Sequence, residues 1–212
     1  MKPTHVILGC SLLLLSACGG GGGGTTTPPV NIPAQVLASI RLGATTIALS
    51  AGSVQVLTVE ALDASGRVIP NVTGYSFASS ATNVAELQSG GGVLGISAGS
   101  AVVTVSLTRD GVTATGSATV TVTGSLPVAA TVTAGNADQT FTPPTVIVAR
   151  NASVTFDFGA LQHNVTFRVA SGAPASVPSS TNASIARSFP SAGDFRYDCS
   201  LHAGMTGAVI VR

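Results

Sequence analysis

The stretch that decides the fold of the C-terminal part reads Gly193-Asp194-Phe195-Arg196-Tyr197-Asp198-Cys199-Ser200-Leu201-His202-Ala203-Gly204-Met205. Its first half alternates in polarity, which predicts a β-strand with Phe195, Tyr197 and Cys199 on one inward face. Directly after that strand come a thiol, an imidazole and a thioether within seven residues. The stretch therefore predicts a strand that leads into a loop of possible metal donors.

Donor residues of this kind are rare in the chain. Beyond residue 18 they are only His163, Cys199, His202 and Met205. Copper has to cycle between Cu(I) and Cu(II) with little rearrangement, and a trigonal His₂Cys plane with a weak thioether suits both states. Zinc usually takes a fourth strong ligand or an open water position, and no further His or Cys is present beyond residue 18. We therefore expect one type 1 copper ion on these four residues.

Each donor also has an ordinary structural explanation. A lone Cys is most often a small buried hydrophobe and a lone Met fills a core. His202 alone would be a surface residue, and His163 alone carries little signal. However, an unpaired thiol in an oxidising compartment is a liability unless something occupies it. The spacing Cys-x-x-His-x-x-Met therefore favours ligation.

Residues 128–212 resemble the cupredoxins of the plastocyanin and amicyanin type. The resemblance is carried by Phe141-Thr142-Pro143, Val146-Ile147-Val148, Ser153-Val154-Thr155-Phe156, His163-Asn164-Val165-Thr166-Phe167 and residues 197–211. It implies a Greek-key β-sandwich, in which His163, Cys199 and His202 are the strong ligands and Met205 is the weak axial one.

The resemblance also assigns roles to residues beside the ligands. It implies that Asn164 ties the two ligand loops together and that its backbone N–H points at the thiolate sulfur, as partners of metal ligands often do. It further implies electron entry and docking at Leu201, His202, Ala203 and Gly204.

Two positions depart from the family pattern. Asn151, in Arg150-Asn151-Ala152, stands where the family usually has a Gly-Asp or Gly-Glu turn, and Asn tolerates the left-handed conformation. Ala203 replaces the Pro that follows the second His in many relatives, which predicts a less rigid ligand loop. Elsewhere in the region, alternation puts Val165, Phe167 and Val169 on one face, which we expect to be a core face.

Residues 36–123 show a second pattern, with short alternating runs between turn signals. They resemble the bacterial Ig-like group 2 (BIG2) domain through residues 46–52, 61–66, 77–80, 93–94, 97–101 and 118–122. The expected fold class is therefore all-β: an N-terminal Ig-like β-sandwich over residues 36–123, then a cupredoxin Greek-key β-sandwich over residues 125–212. Without His, Cys or an aromatic cluster, the Ig-like part is expected to be a spacer rather than a binding module.

The N-terminus has the features of an export signal. Residues 1–17 combine one positive charge with an apolar run too short to span a bilayer permanently. Leu15-Ser16-Ala17-Cys18 resembles a lipobox, which implies cleavage before Cys18 and its lipidation; a plain secretory signal is the alternative. Gly19 after the Cys is compatible with outer-membrane sorting. The Gly, Thr and Pro-rich residues 18–35 are expected to be a linker.

Charge narrows the function further. Removal of the signal takes away the only Lys and leaves eight Arg and eight acidic residues, a balance that argues against nucleic-acid binding. Four protein donors leave no open metal position for a substrate, so an enzyme is not expected. We expect an electron-transfer carrier of the cell envelope, anchored to a membrane through acylated Cys18, facing the periplasm or the cell surface, with a transient redox protein partner.

Two other functions fit the same residues. A copper-binding protein for storage, delivery or tolerance would use these ligands without a redox partner. A structural or adhesive surface lipoprotein would not need the copper at all. Copper exchange separates the first alternative from a carrier, because a delivery protein releases Cu(I) readily to a competing site.

Overall fold

A computed structural model describes residues 35–212 of the chain. The predicted signal peptide, the lipidation site Cys18 and residues 18–34 of the predicted linker lie outside the described residues. The described part consists of eighteen β-strands and one 3-10 turn at Ser89–Gly91, which confirms the all-β fold class. Within residues 35–212 no helix is both long enough and apolar enough to cross a membrane.

The first nine strands surround one part of the hydrophobic interior. They are β1 (Ser39–Leu42), β2 (Thr46–Ser50), β3 (Val54–Val56), β4 (Val59–Leu62), β5 (Ser76–Ser79), β6 (Ala85–Gln88), β7 (Gly92–Gly95), β8 (Ser97–Arg109) and β9 (Val112–Ser125). They form sheets with the orders β2-β9-β8-β5, β3-β7-β6 and β1-β4. Val93, Val103, Val105 and Val120 are fully buried between them.

The second nine strands carry the predicted ligands. They are β10 (Ala129–Ala134), β11 (Phe141–Thr142), β12 (Thr145–Val148), β13 (Ala152–Phe158), β14 (His163–Phe167), β15 (Val177–Ser180), β16 (Ala183–Phe189), β17 (Gly193–Asp198) and β18 (Thr206–Val211). Their sheets have the orders β11-β10-β13-β16 and β12-β18-β17-β14-β15. Two of the pairings, β10 with β13 and β12 with β18, are parallel.

A separate hydrophobic core fills the space between these two sheets. Alternation along β17 buries Phe195 and Tyr197 and continues into buried Cys199, as the sequence predicts. Tyr197 lies at the centre of an aromatic cluster with Phe141, Phe156 and Phe167. Aromatic pairs in edge-to-face contact add about 0.5–1.5 kcal/mol each beyond the area they bury, so this cluster stabilises the core from which β17 leads into Cys199.

The prediction that Val169 belongs to the core is wrong. Val165 is fully buried and Phe167 half-buried, but Val169 is fully exposed. The reason is that β14 ends at Phe167 and the chain turns away at Gly172, whose φ is +81°. The alternation of buried and exposed side chains along β14 therefore stops before residue 169. By contrast, Asn151 adopts the expected left-handed conformation, with φ of 65°.

The two strand groups touch through Arg212. Arg212 Nε lies 2.7 Å from Glu86 Oε2 in β6, and Arg212 Nη1 donates to Asp194 Oδ1 at 2.6 Å in β17. Leu126, in the predicted break between the two parts, is buried. The two cores lie on either side of that break, and the exact domain boundaries stay a prediction.

Candidate metal centre

The predicted donors come from three places in the second strand group. His163 opens β14, Cys199 directly follows β17, and His202 and Met205 lie in the loop that leads into β18. Cys199 Sγ lies 3.5 Å from His202 Nδ1 and 3.8 Å from His163 Nδ1. The ligand atoms of the two His and the Cys all lie within 4.8 Å of one another. A single ion can therefore contact all three.

These donors are shielded from solvent to different degrees. His163, Cys199 and Met205 are buried, whereas His202 is partly exposed. The buried His163 imidazole and Cys199 thiol lie at hydrogen-bond distance from each other, so each is the other's polar neighbour away from solvent. His202 is the one of the four that reaches the surface.

Three backbone hydrogen bonds within the ligand loop close it. The N–H of Cys199 donates to the carbonyl of Met205 at 2.9 Å, and the N–H groups of His202 and Met205 donate to Cys199 O and His202 O, each at 3.3 Å. Gly204 supplies a left-handed residue, with φ of +82°. The loop thus holds its own shape, and the lower rigidity expected from Ala203 stays a prediction.

His163 is oriented by a backbone carbonyl. Its Nε2 lies 3.1 Å from the carbonyl oxygen of Gly135. A proton on Nε2 satisfies that carbonyl and leaves the Nδ1 lone pair facing Cys199. Burial, and then the nearby His202, lower the pKa of His163 below its usual 6.5. Both effects favour the neutral imidazole that a metal ligand requires.

Asn164 joins the two ligand loops, as expected. Its Nδ2 donates to Ser200 Oγ at 2.7 Å, and its Oδ1 accepts the Ser200 N–H at 2.8 Å. The residue after one ligand is therefore linked twice to the residue after another. The further expectation, that the Asn164 backbone N–H points at the Cys199 sulfur, stays a prediction.

The predicted docking residues surround the exposed edge of the site. Leu201 is 47% exposed, Ala203 and Gly204 are exposed, and His202 lies between them. None of these four side chains carries a fixed charge. They form a small apolar surface around the donor that is nearest to solvent.

The donor set fits one type 1 copper ion. Two imidazole nitrogens and one thiol sulfur lie close together, and the buried thioether of Met205 ends the same loop. Soft sulfur ligands select Cu(I), imidazoles suit both oxidation states, and a weak thioether completes the set typical of blue copper. A structural zinc site would draw on a fourth strong donor. Among the described residues the cluster contains no Asp, Glu, further His or further Cys.

The sequence did not reveal several residues that support the site. Gly135 and Ser200 act through the backbone or a common hydroxyl, and no motif marks them. Arg168 donates through Nε and Nη2 to the two carboxylate oxygens of Asp198, each at 2.9 Å. This bidentate pair anchors the end of β17 just before Cys199. Because the partners are 30 residues apart, only the register of β14 and β17 brings them together.

Comparison with known proteins gives a partial match. No protein-family model matches the chain, and no curated protein matches it in sequence. A mutant plastocyanin of fern is 24% identical, covering 39% of this chain and 99% of its own, with a TM-score of 0.35. A mutant amicyanin in the reduced Cu(I) form at pH 4 is 27% identical, with a TM-score of 0.35. The match covers 40% of this chain and 82% of the amicyanin. A copper-containing nitrite reductase from Thermus scotoductus is 23% identical, with a TM-score of 0.35. The match covers 42% of this chain and 23% of the nitrite reductase.

Proposed function

We propose that this chain is a type 1 copper protein that carries electrons in the cell envelope and is not an enzyme. The observation that carries the proposal is the set of four donors, three of them buried and only His202 partly exposed. A complete set of protein donors suits reversible electron uptake, whereas metal catalysis uses an open position for substrate or water.

The chain's own residues would prepare the site for a change of charge. When bound, copper would supply a one-electron Cu(I)/Cu(II) couple. Asn164 fixes the two ligand loops against each other, and Gly135 holds the His163 ring. Because these bonds form within the protein, they would hold the donors in one arrangement in both oxidation states. Burial of Cys199 protects the thiol from solvent.

Docking would take place on the apolar surface of Leu201, His202, Ala203 and Gly204. The partly exposed imidazole of His202, whose Nδ1 lies 3.5 Å from Cys199 Sγ, would give a route from solvent to the sulfur. After the predicted signal peptide the chain has eight Arg and eight acidic residues, so its net charge is close to zero. Long-range electrostatic attraction of a charged partner should therefore be weak. We expect a transient redox protein partner whose binding is weak and only mildly sensitive to salt.

We also propose that the protein works at a membrane surface. Acylation of Cys18 would anchor it, since each buried CH₂ of an acyl chain contributes about 0.8 kcal/mol. The BIG2-like part would act as a spacer between the anchor and the metal site, most simply at the outer membrane. Cys18→Ser should move the protein from the membrane fraction to the soluble fraction. Membrane retention of that variant would contradict the anchor.

Copper exchange tests the electron-carrier proposal against storage or delivery. The copper-loaded chain is mixed with a Cu(I) chelator and cycled repeatedly between oxidant and reductant. An electron carrier keeps its copper and its midpoint potential through many cycles. Rapid loss of Cu(I) to the chelator would contradict the proposal and favour a delivery protein.

A further inference from the structure

Tyr197 and Gly207 face each other at the base of the ligand loop. In the register of β17 and β18 they are paired, two residues before Cys199 and two residues after Met205. Tyr197 lies on the buried face of β17. The pair is the last inward-facing contact between these strands before the chain opens into the donors.

The Tyr197 ring occupies the space that a side chain at position 207 would fill. A Cβ on Gly207 would lie 2.6 Å from Tyr197 Cε2 and closer still to Cζ and Oη. Contacts below 3.0 Å essentially never occur for a real Cβ. Gly207 is not among the residues with positive φ. The strands therefore require glycine here for space, not for backbone conformation.

Neighbouring aromatic rings keep the Tyr197 ring in place. Its centroid lies 4.9 Å from that of Phe141, 5.3 Å from Phe156 and 5.7 Å from Phe167, all in edge-to-face contact. The Tyr197 hydroxyl is buried and has no hydrogen-bond partner within residues 35–212. A buried hydroxyl without a partner is unfavourable, so packing rather than a hydrogen bond determines where the ring lies.

We propose that Tyr197 and Gly207 are positioning residues for the metal site. The ring fills the space over Gly207, and beyond the next pair of the two strands, Asp198 and Thr206, the N–H of Cys199 donates to the Met205 carbonyl at 2.9 Å. A side chain at 207 displaces the Tyr197 ring. Because three neighbouring rings confine that ring, β17 shifts with it. Met205 then moves relative to the Cys199 sulfur. The inference rests on the proposed copper site.

A double-mutant cycle on the full chain tests this arrangement. Gly207→Ala, Tyr197→Leu and the double variant are compared by Cu(II) visible absorption, midpoint potential and copper affinity. Gly207→Ala should shift the absorption and the potential and reduce affinity on the order of 10- to 100-fold. In the Tyr197→Leu background the same substitution should add little, because the ring it displaces is gone.

Gly95→Ala is the matched control. Its Cβ would lie 2.9 Å from the Ser50 carbonyl oxygen, in the other strand group. It should lower the thermal midpoint of unfolding but leave absorption and potential unchanged. A purely structural role for Gly207 predicts that the two Gly→Ala variants behave alike.

Different results would overturn the role of Tyr197 and Gly207 and the proposed copper site. Native absorption, potential and affinity in Gly207→Ala overturn the inference, and so does additivity in the cycle. Should Gly207→Ala not fold, Tyr197→Leu decides: the inference requires altered absorption and potential, and native values overturn it. A wild-type chain without blue absorption would instead overturn the proposed copper site, so the two failures are distinguishable.

Discussion

Asn164 is the residue whose side chain bonds connect the ligand loop of His163 to that of Cys199. It uses both ends of its amide on Ser200, once as donor and once as acceptor. Each such bond contributes about 1 kcal/mol net, and both depend on one side chain. The metal site therefore relies on a residue that contributes no metal ligand.

Asn164→Ala should reduce copper affinity on the order of 10- to 100-fold, because the ligand loops lose their mutual support. Titration of the metal-free chain with copper measures this. Ser200→Ala is the matched control, since it removes the hydroxyl but keeps the N–H that donates to Asn164 Oδ1. Its loss should be smaller. Equal affinity of the wild type and Asn164→Ala would contradict this role.

Tyr197→Phe tests the unpartnered hydroxyl by itself. The substitution keeps the ring over Gly207 and removes a buried group that has no partner in the described chain. The free energy of unfolding should stay equal or rise by about 1 kcal/mol, with unchanged Cu(II) absorption. Tyr75→Phe, at the only other Tyr, is the control for the general effect of the substitution. A clear loss of stability in Tyr197→Phe alone would show that the hydroxyl is bonded.

The sequence predicts the role of a single residue best where that residue type is rare in the chain. His163, Cys199, His202 and Met205 could be predicted because hardly any other donors exist and three of them share one short motif. Gly135, Ser200 and Gly207 could not, because a carbonyl, a hydroxyl and a missing side chain are common. Their roles arise only from the register of the strands.

Among the structural elements, the turn after β4 is held by one carboxylate. Asp63 accepts hydrogen bonds from Ser65 N–H, Ser65 Oγ and Arg67 N–H at 2.9, 2.6 and 3.0 Å. The Ser65 hydroxyl first, and then the Arg67 N–H, lower the pKa of Asp63 from 3.8 to about 2. All of these bonds favour the ionised form.

The sign of the resulting pH dependence follows from the lowered pKa. Ionised Asp63 stabilises the fold above pH 3.8, and this contribution is lost as the pH falls from 3.8 towards 2. Asp63→Asn should therefore be less stable than wild type at pH 7 but lose less stability between pH 4 and pH 2. Chemical unfolding across that range measures both curves. Parallel curves for the two proteins would contradict the role of Asp63.

Strands β3 and β4 show where the alternation of polar and apolar residues stops being informative. Residues 54–59 look like one alternating run, yet β3 pairs with β7 and β4 pairs with β1. Between them, Leu57 N–H donates to the Gly91 carbonyl while the Thr58 carbonyl accepts the Gly43 N–H. The chain changes sheets at this point. Here alternation predicts neither the partner strand nor the buried face, since all three residues of β3 are exposed.

Across the whole described chain, the C-terminal arginine links the two strand groups. Arg212 is 19% exposed and its partner Glu86 31% exposed, so solvent screens this ion pair only in part. A second contact ties the same guanidinium to Asp194. One side chain directly after β18 therefore contacts both strand groups.

Glu86→Gln should weaken this coupling. We expect a loss of up to about 1 kcal/mol in unfolding free energy and a wider separation between the unfolding transitions of the two groups. Differential scanning calorimetry of the copper-free chain measures both. Glu60→Gln is the control, because its pair with Arg41 is more exposed and joins strands of one group only. Identical transitions in wild type and Glu86→Gln would contradict the coupling.

The most direct test of the proposed copper site is Cu(II) titration of the purified chain, followed by visible absorption. We predict one copper per chain and the intense blue absorption of a thiolate-bound type 1 site, reversibly bleached by a reductant. Cys199→Ser should abolish the colour, because it removes the only thiol in the described chain. A wild-type chain that stays colourless, or a Cys199→Ser variant that stays blue, would contradict the assignment of His163, Cys199, His202 and Met205 as a copper site.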